Sequence, residues 1–388
     1  MSDGVPNMRL IKELPDPFLL ENGQRVASAQ EWQQRRDEIK DMMLNIQYGT
    51  MPGAPESVSA TTLETETLDG GETREKLRLE FTPNKKHPNI TFGVEVTVWR
   101  PSEKAIEKRK ETIDGFGNNG LPVLIYVGNK KFESLLNNGY MVICYENNQL
   151  EPTEMGNAIV GPARTAYQEL EPNTYSWGSI SVWAWGGLRV LEYALSLSGT
   201  DNKQIMISGH SRNGKTALLA GALDDRIAIV NPAGSGCAGA GSYLALGEKC
   251  EDLAALTSRE RWWAWAHANF EKFSGSEEEL PFDQHFLMGL VAPRPLLRTE
   301  GTTDAWANPE GTCVSFLATE PIYQFLDVPK RNGIYFHEGG HTHTEEDAIA
   351  LVAFADAHFF GTSTTTNFKT LLRDKTEFPT AISWTNPV

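Results

Sequence analysis

The sequence is poor in positive charge, has few cysteines and contains no long apolar run. Lys and Arg number 35 against 51 Asp and Glu, so the 388-residue chain carries a formal net charge of −16. A field of that sign repels phosphate backbones and anionic lipid, which argues against nucleic-acid and membrane partners. Four cysteines without a CxxC pair are too few for a disulfide scaffold or a zinc ribbon. No apolar run reaches the roughly 18 residues that a transmembrane helix needs.

The N-terminal segment also lacks the apolar stretch of a signal peptide. It begins MSDGVPNMRLIKELPDPFLLENG, in which polar and apolar residues are mixed. Two interpretations stay open from this segment. The protein is cytosolic, or it is a mature chain from which a signal peptide has been removed.

The composition is that of a folded globular protein, with 40% hydrophobic and 22% charged residues. The length alone suggests about two to three domains. However, the chain has no repeat, no low-complexity tract and no linker rich in Pro, Gly or Ser. We therefore expect a single domain over residues 1–388, with residues 1–60 as an N-terminal extension that packs on it and holds one helix at 29–44.

The hydrophobic pattern changes along the chain. Residues 61–115 are predicted to form strands, because positions 77–81 and 91–99 alternate between apolar and polar. Short continuous apolar runs then occur at 123–127, 140–144, 205–207, 227–230, 296–297 and 334–336. Helical patterns follow several of them, at 183–197, 216–223 and 345–360. This alternation predicts an α/β fold with a mostly parallel sheet covered on both faces and an antiparallel N-terminal edge.

Residues 205–223, IMISGHSRNGKTALLAGAL, have the pattern of a strand, a tight polar turn and a helix. Two incompatible motifs match this turn. Residues 209–216 fit the phosphate-binding loop GxxxxGK[ST] at each fixed position. Alternatively, Ser211 is the nucleophile of a strand-to-helix elbow, although Asn213 stands where the usual GxSxG motif has Gly. A serine here also suits a helix N-cap.

The rest of the chain favours the nucleophile. A nucleotide-binding loop needs an acid at the end of another apolar strand to hold Mg²⁺. Only Glu146 fits, and it precedes the loop. An elbow needs an acid and then a histidine, each after a later strand. Asp304 follows the run at 296–297 and His341 follows the run at 334–336, so order and placement both agree.

These residue types define a reaction. A serine hydroxyl is a weak nucleophile at neutral pH and needs a base, which in turn needs an orienting carboxylate. His341 is the expected base and later the acid for the leaving alcohol, and Asp304 is expected to fix its tautomer. The backbone N–H of Arg212 and the loop that begins Gly128-Asn129 are the expected oxyanion donors.

The sequence GHSRNGK at residues 209–215 resembles the elbow of carbohydrate esterase family 15, the glucuronoyl esterases, in which Ser-Arg-x-Gly-Lys replaces GxSxG. Other stretches resemble bacterial members of that family and cover most of the chain: LPDPF (14–18), YSWGSISVWAWGGLRVLEY (175–193), SGCAGAG (235–241), LPFDQHFLMGLVAPRPLL (280–297), DAWANPEG (304–311) and HTHTEED (341–347). The resemblance implies an α/β-hydrolase fold, a three-layer sandwich. It also implies cleavage of esters of (4-O-methyl-)glucuronic acid, such as lignin–glucuronoxylan cross-links and methyl glucuronates.

The resemblance also assigns roles around the nucleophile and base. Arg212 would support the oxyanion with its side chain as well as its backbone. Lys215 would contact sugar hydroxyls, and Trp306 would pack on the sugar ring. Glu248 would bind ring hydroxyls, although it also suits an ordinary surface carboxylate.

The chain departs from the family pattern at Gly234, where many members carry a catalytic Glu. The acid role is therefore expected to fall wholly on Asp304, and the substrate preference to shift. Fungal members join a Cys before the nucleophile to one after the His. Here those positions are His210 and Thr342, so that disulfide cannot form.

Several residues have competing interpretations. Asp304 has rivals for the acid in Glu300 and Glu310. The three tryptophans at 262, 263 and 265 are core residues or a sugar platform. A disulfide among Cys237, Cys250 and Cys313 is left open. Four residues that lie close together in the chain have metal ligation as an alternative interpretation: His337, His341, His343 and Glu345. We interpret these histidines instead as one catalytic residue with polar neighbours.

The sequence thus predicts a serine esterase that needs neither a metal nor an organic cofactor. Its expected partner is glucuronoxylan or another uronate-ester carbohydrate, and we expect a monomer. The alternatives are an esterase for another uronate such as pectin methyl ester, a nucleotide-binding protein that uses residues 209–216, and an inactive carbohydrate-binding relative. An enzyme for such polymers must work outside the cytosol, so a secreted or periplasmic location with a removed signal peptide is expected.

Overall fold

The computed structural model describes residues 8–387 and is built around one large sheet flanked by helices. The strands are β1 (Arg9–Leu10), β2 (Ser57–Thr67), β3 (Thr73–Thr82), β4 (Phe92–Arg100), β5 (Leu121–Val127), β6 (Met141–Tyr145), β7 (Thr200–His210), β8 (Ile229–Ala233), β9 (Ala245–Leu246), β10 (Leu296–Gly301) and β11 (Asn332–His337). The helices are α1 (Ala29–Met43), α2 (Glu103–Thr112), α3 (Glu133–Asn137), α4 (Pro162–Leu170), α5 (Ser179–Ser196), α6 (Arg212–Leu223), α7 (Leu253–Thr257), α8 (Gln284–Val291), α9 (Pro309–Phe325) and α10 (Glu345–Phe359).

The large sheet has nine strands in the order β11-β10-β8-β7-β5-β6-β4-β3-β2. The six strands from β11 to β6 pair in parallel, whereas β4, β3 and β2 pair antiparallel at the N-terminal edge. Strands β1 and β9 form a separate antiparallel pair. The predicted α/β-hydrolase sheet with its antiparallel edge is therefore confirmed.

The central strands are buried on both faces, which explains their continuous apolar runs. In β5, Val123 and Ile125 pack toward the layer of α5 and α6, while Leu124 and Tyr126 pack toward the layer of α3 and α10. Successive side chains of a strand point to opposite faces, so helices on both sides require apolar residues at every position. The result is a three-layer sandwich.

The N-terminal residues contribute to the same core. Ser28 caps α1 by accepting a hydrogen bond from the N–H of Glu31, which confirms the predicted start of this helix. Trp32 and Ile39 of α1 are almost fully buried against the layer that contains α8. Burial of such side chains contributes roughly 1.5–3 kcal/mol each, which holds α1 to the sheet.

One element differs from the prediction of strands over residues 61–115. Residues Glu103–Thr112 form a helix and not a strand, capped by Ser102, and none of its residues is buried. Strand β2 agrees with the prediction over residues 61–67, but it begins at Ser57, four residues before the predicted region, and is exposed along its whole length. Because neither element buries apolar side chains, hydrophobic periodicity could not define the helix or the start of β2.

The parallel strands place the chemistry at one edge of the sheet. Strands β7, β10 and β11 all end at the carboxyl edge, and the candidate residues Ser211, Asp304 and His341 lie in the loops or turns that follow them. Ligands of α/β sheets bind at this edge. Within residues 8–387, no helix combines the length and hydropathy required to cross a membrane.

Candidate active site

Ser211 stands at a sharp turn between β7 and α6. Its backbone has φ 59° and ψ −126°, a left-handed conformation that non-glycine residues rarely adopt. Its N–H donates to the carbonyl of Ala233 at 2.9 Å, which ties the turn to β8. Although Ser211 occupies the N-cap position, its side chain makes no capping hydrogen bond. Its hydroxyl is thus left for another partner, and the strained turn identifies a nucleophile elbow.

The spacing of glycines around the turn follows from close backbone contacts. A Cβ atom at Gly209 would lie 2.3 Å from the carbonyl oxygen of Asn213, and one at Gly214 would lie 2.8 Å from that of Ala233. Asn213 itself accepts a hydrogen bond from Asn147 at 3.0 Å through its side chain. The structure therefore requires glycine two residues before and three residues after the serine, which accounts for the broken GxSxG spacing.

Ser211, His341 and Asp304 form one hydrogen-bonded series. Ser211 Oγ lies 2.9 Å from His341 Nε2, and His341 Nδ1 lies 2.6 Å from Asp304 Oδ2. The carboxylate can only accept, so Nδ1 carries the proton and Nε2 accepts from the serine hydroxyl. Asp304 is 3% exposed and its second oxygen accepts from the N–H of Ala307 at 3.3 Å. The arrangement is that of a Ser-His-Asp triad, in the predicted chain order.

Backbone contacts hold the loops of the acid and the base together. The N–H of Thr303 donates to the carbonyl of Gly339 at 2.9 Å. A Cβ atom at Gly301 would lie 2.4 Å from the carbonyl oxygen of Gly340, so only glycine permits this approach. The loop before His341 is thus packed directly on the loop that carries Asp304.

The rivals of Asp304 have other surroundings. Glu300 is completely buried on β10, and burial, followed by the charge of Asp304, raises the pKa of its carboxyl well above the usual value. Glu310 pairs with Arg373. Asp304 is the carboxylate within hydrogen-bond distance of His341.

The other histidines of the region are separately engaged. Nδ1 of His337 lies 2.9 Å from Asp347, and Nδ1 of His343 lies 3.2 Å from the hydroxyl of Tyr126. Burial lowers the pKa of His343 well below its usual value, so this ring is neutral at physiological pH. These contacts agree with our interpretation of the histidines as polar neighbours of one catalytic residue.

Gly234, at which the sequence departs from the pattern of the family that it resembles, borders the triad. It has φ +47°, and a Cβ atom there would lie 3.0 Å from His210 Nε2 and 3.5 Å from Asp304 Oδ2. A carboxylate at this position would therefore point into the same corner as Asp304, but His210 fills the adjacent space. The glycine and the histidine are complementary in size, which explains how this chain accommodates the change.

Arg212 begins α6 and has no carboxylate partner among the described residues. Its guanidinium carbon lies 6.0 Å from the ring of Trp183, and its Nε is buried without an acceptor. Burial lowers the pKa of the guanidinium, which nevertheless stays charged because arginine titrates far above neutrality. An unpaired, partly desolvated cation beside the nucleophile suits a developing oxyanion.

Lys215 has its three donors occupied inside the protein. Its ammonium donates to the carbonyl of Ser235 at 2.9 Å, to the carbonyl of Cys237, and to Glu251 at 3.1 Å, and the side chain is 3% exposed. A buried ammonium with three acceptors has no free donor, so these contacts give no support to the predicted sugar contact. Glu251 was missed by the sequence analysis, since no motif marks a carboxylate 36 residues after the lysine.

The same contacts argue against the phosphate-binding loop. A phosphate loop needs a lysine that reaches the phosphates and a free hydroxyl for Mg²⁺. Lys215 is buried, and the Thr216 hydroxyl donates to the carbonyl of Arg212 at 3.0 Å.

The loop that begins Gly128-Asn129 was expected to supply an oxyanion donor. The N–H of Gly128 is not free for this role, because it donates to the carbonyl of Tyr145 at 3.1 Å.

The two remaining candidates lie at the surface. Trp306 is 39% exposed, and the guanidinium carbon of Arg261 lies 4.6 Å from the centre of its ring. Glu248 is exposed and lines a groove of about 240 Å³ together with Thr303 and Ala305, the residues on either side of the triad acid. The structure therefore places Trp306 two residues from the triad acid, whereas it shows no contact of Glu248 with the triad. No feature of the sequence indicated the contact between Arg261 and Trp306.

The tryptophans at 262, 263 and 265 differ in their surroundings. Trp265 is 6% exposed and stacks on Trp262 with ring centres 4.7 Å apart, while Arg259 covers Trp263 at 4.2 Å. Trp265 is thus a core residue.

All four cysteines are free thiols, so the disulfide left open by the sequence is not formed.

Comparison with known proteins agrees with this architecture. A family model described as glucuronyl esterase of fungi matches residues 96–327. A 4-O-methyl-glucuronoyl methylesterase from Thermothelomyces thermophilus is 28% identical over 355 residues, covering 89% of this chain and 80% of that protein. A carbohydrate esterase from an unknown prokaryotic organism is 27% identical over 394 residues, covering 90% of both chains.

Solved structures give the same result. A carbohydrate esterase family 15 glucuronoyl esterase from Caldicellulosiruptor kristjansonii superposes with a TM-score of 0.78 and 28% identity, covering 97% of this chain and 98% of that one. A glucuronoyl esterase from Sporotrichum thermophile, solved with methyl 4-O-methyl-β-D-glucopyranuronate, has a TM-score of 0.72 and 25% identity and covers 94% and 91%.

Proposed function

The chain belongs to the glucuronyl esterase family, and we propose that it hydrolyses esters of glucuronic acid through an acyl-enzyme on Ser211. The observation that carries the proposal is the hydrogen-bonded series from Ser211 Oγ through His341 to Asp304, with distances of 2.9 and 2.6 Å. Such a series activates a serine that is otherwise a weak nucleophile. The complex of the Sporotrichum thermophile enzyme with a methyl glucuronate supports the substrate class.

Each proton transfer of the proposed mechanism passes through His341. His341 Nε2 takes the proton of Ser211 as Oγ attacks the ester carbonyl, and Asp304 stabilises the imidazolium that results. Nε2 then gives this proton to the leaving alcohol, and the acyl-enzyme forms. A water molecule next loses a proton to the same nitrogen and attacks the acyl carbon. As the bond from the acyl carbon to Ser211 Oγ breaks, Nε2 returns this proton to Oγ, which releases the uronic acid and restores the serine hydroxyl. Asp304 remains ionised throughout.

The oxyanion of each tetrahedral intermediate needs donors close to Ser211. The N–H of Arg212 belongs to the first residue of α6, where helical amides have no intrahelical acceptor. The Arg212 guanidinium, which has no carboxylate partner among the described residues, is proposed to add positive charge near this oxyanion. A single oxyanion donor is typically worth about 10²–10³ in rate. The next residue of the predicted loop, Asn129, remains a candidate second donor.

The sugar ring is proposed to lie against Trp306. An exposed indole offers an apolar face and an N–H donor, which suits a pyranose ring. Arg261 covers one face of this indole at 4.6 Å and stiffens it. The direct contact predicted for Lys215 lacks a free donor, because Lys215 is fully paired. Glu248 lines a groove beside the loop of Asp304, and it is proposed to bind ring hydroxyls there.

Preference for glucuronate over other uronates tests this function directly. The parent protein is assayed on methyl glucuronate and on methyl galacturonate, which differ only at C4 and serve as matched substrates. Faster cleavage of the glucuronate is expected. Faster cleavage of the galacturonate would replace the substrate class by the pectin-type alternative, whose basis is Gly234. If neither ester is cleaved, the esterase function itself is wrong.

We propose the location and the oligomeric state of the enzyme from its substrate and its site. A uronate ester on glucuronoxylan is too large to enter a cell, so we propose that the enzyme acts outside the cytosol, as a secreted or periplasmic protein. We further propose that it works as a monomer, since the triad is assembled within one chain.

A further inference from the structure

Two adjoining cavities lie far from the triad. The first has a volume of about 720 Å³ and the second about 440 Å³, and Arg331 and His358 line both, so they form one groove. The first volume is within the roughly 300–1,000 Å³ typical of ligand sites. We call these two cavities the basal groove. Nothing in the proposed ester hydrolysis uses it.

The sheet topology separates the basal groove from the triad. Lys203 lies at the start of β7, Ala228 directly precedes β8, Pro295 directly precedes β10 and Arg331 directly precedes β11. All four strands are parallel, so their starts share one edge and the triad lies at the other. Even the six residues of β10 span about 17 Å. A ligand in the groove therefore cannot touch the reacting ester.

The groove concentrates positive charge on a strongly acidic protein. Six cationic side chains line it, and three of them have carboxylate partners: Arg226 with Asp224, Arg294 with Asp225, and Lys369 with Glu320. The other three have no carboxylate partner among residues 8–387, namely Lys203, Lys330 and Arg331.

The three unpaired cations are placed to receive an anion. Arg331 donates one hydrogen bond to the carbonyl of Pro293 and keeps its remaining donors. Asp327 also lines the groove and repels negative charge, so a ligand with few, separated negative charges fits better than one that is charged along its whole length. With a net charge of −16, the rest of the surface repels an acidic polymer, so this groove is where such a polymer would be attracted.

The remaining lining suits a sugar. Phe368 is half-buried and gives the first cavity an apolar side, on which the C–H face of a pyranose can lie. Phe354 is 1% exposed and supports this ring from behind, with ring centres 5.0 Å apart. Thr362, Ser363 and Thr364 place hydroxyl side chains along the rim, where sugar hydroxyls would be. A carboxylate completes the match, because guanidinium groups bind carboxylates with paired hydrogen bonds.

We propose that the basal groove is a second, non-catalytic binding site for a saccharide with a free uronate carboxylate, such as an unesterified segment of the polymer whose esters the triad cleaves. This inference rests on the proposed function for the choice of polymer. Holding the polymer at the opposite edge keeps the enzyme on its substrate without occupying the triad, and raises the local ester concentration.

Calorimetric titration tests the groove. The ligand is a xylo-oligosaccharide with one free glucuronic acid branch, titrated into the parent, into Lys330→Ala/Arg331→Ala, and into Lys85→Ala/Lys86→Ala. The last variant is a matched control, because it removes two exposed charges at the turn between β3 and β4. We expect the groove variant to bind at least about tenfold more weakly at one site, as expected for the loss of charge-assisted hydrogen bonds, and the control to bind like the parent.

Two further titrations define the ligand. The neutral xylo-oligosaccharide of equal length is expected to bind at least about tenfold more weakly than the acidic one. Inorganic phosphate at equal concentration is expected not to displace the acidic ligand. Equal binding by the groove variant and the parent would overturn the proposal, and displacement by phosphate would show a general anion site instead.

Hydrolysis separates this proposal from the proposed function. The groove variant is expected to cleave methyl glucuronate as fast as the parent. If the parent cleaves no ester but the groove still binds the acidic oligosaccharide, only the proposed function fails. If ester cleavage is normal and the groove variant binds as the parent does, only the groove proposal fails.

Discussion

The imidazole rings of His210 and His341 lie 4.5 Å apart between centroids and are tilted by 45°. Burial, followed by the nearby His341, lowers the pKa of His210 to about 4. His210 is therefore neutral wherever the enzyme is expected to work, and the base His341 has an uncharged neighbour. The ring also fills the space that opens beside Gly234.

The His210 ring makes stability depend on pH. In the unfolded chain a histidine takes up a proton below about pH 6.5, whereas folded His210 resists protonation until about pH 4. Stability is therefore complete above pH 6.5 and falls as the pH decreases toward 4, by up to about 3 kcal/mol from this residue. His210→Phe is expected to reduce the loss between pH 7 and pH 4.5, measured by urea unfolding at both values. The exposed His87→Phe is the control, and an unchanged loss in His210→Phe would contradict this account.

Asp304 is expected to be the acid of the triad. Asp304→Asn should lower kcat/KM for methyl glucuronate by about 10³–10⁴, because an amide favours the wrong tautomer of His341. Glu310→Gln is the control for a nearby carboxylate, and its activity should stay close to that of the parent. A small loss in Asp304→Asn, with a large loss in Glu300→Gln, would move the acid role to the buried Glu300.

Arg212 is expected to stabilise the oxyanion. Arg212→Met should lower kcat by about 10²–10³ with a smaller change in KM, because the charge acts mainly in the transition state. Arg212→Lys should recover part of kcat, since it keeps the charge but loses the planar donor geometry. An equal rise in KM without loss of kcat would instead indicate ordinary ground-state binding.

Lys215 is expected to be structural. Lys215→Met leaves Glu251 buried at 4% exposure without its cation, which should cost about 3–5 kcal/mol of unfolding free energy. The double variant Lys215→Met/Glu251→Leu should recover part of this loss, because it removes both charges. The exposed Lys108→Met serves as the control in urea unfolding. Normal stability in Lys215→Met would restore the sugar contact as the function of this lysine.

Much of this architecture could be predicted from the sequence because the central strands bury both faces. The runs around Ile125 and Ile207 are continuous and apolar for that reason. Helix α2 and strand β2 bury almost nothing, so no hydrophobic pattern identified the helix or the start of the strand. Local periodicity thus predicts the elements that build the core and does not define the type or the bounds of those at the surface.

The candidate site shows the same division. Ser211, Asp304 and His341 could be singled out because each follows a strand, and the topology of parallel strands brings their ends together. The burial of Lys215 depends on Glu251 and on two carbonyls far along the chain, which no local motif encodes. The contact of Arg261 with Trp306 is likewise a tertiary contact between distant segments.

The central claim is that Ser211 is the nucleophile, and the most direct measurement compares Ser211→Ala with the exposed Ser196→Ala on methyl glucuronate. Hydrolysis and binding of the ester are measured on both variants. We expect Ser211→Ala to bind the ester but lose about 10³-fold or more in kcat/KM, while Ser196→Ala keeps the parent's activity. Hydrolysis by Ser211→Ala at a rate near that of the parent would contradict the account.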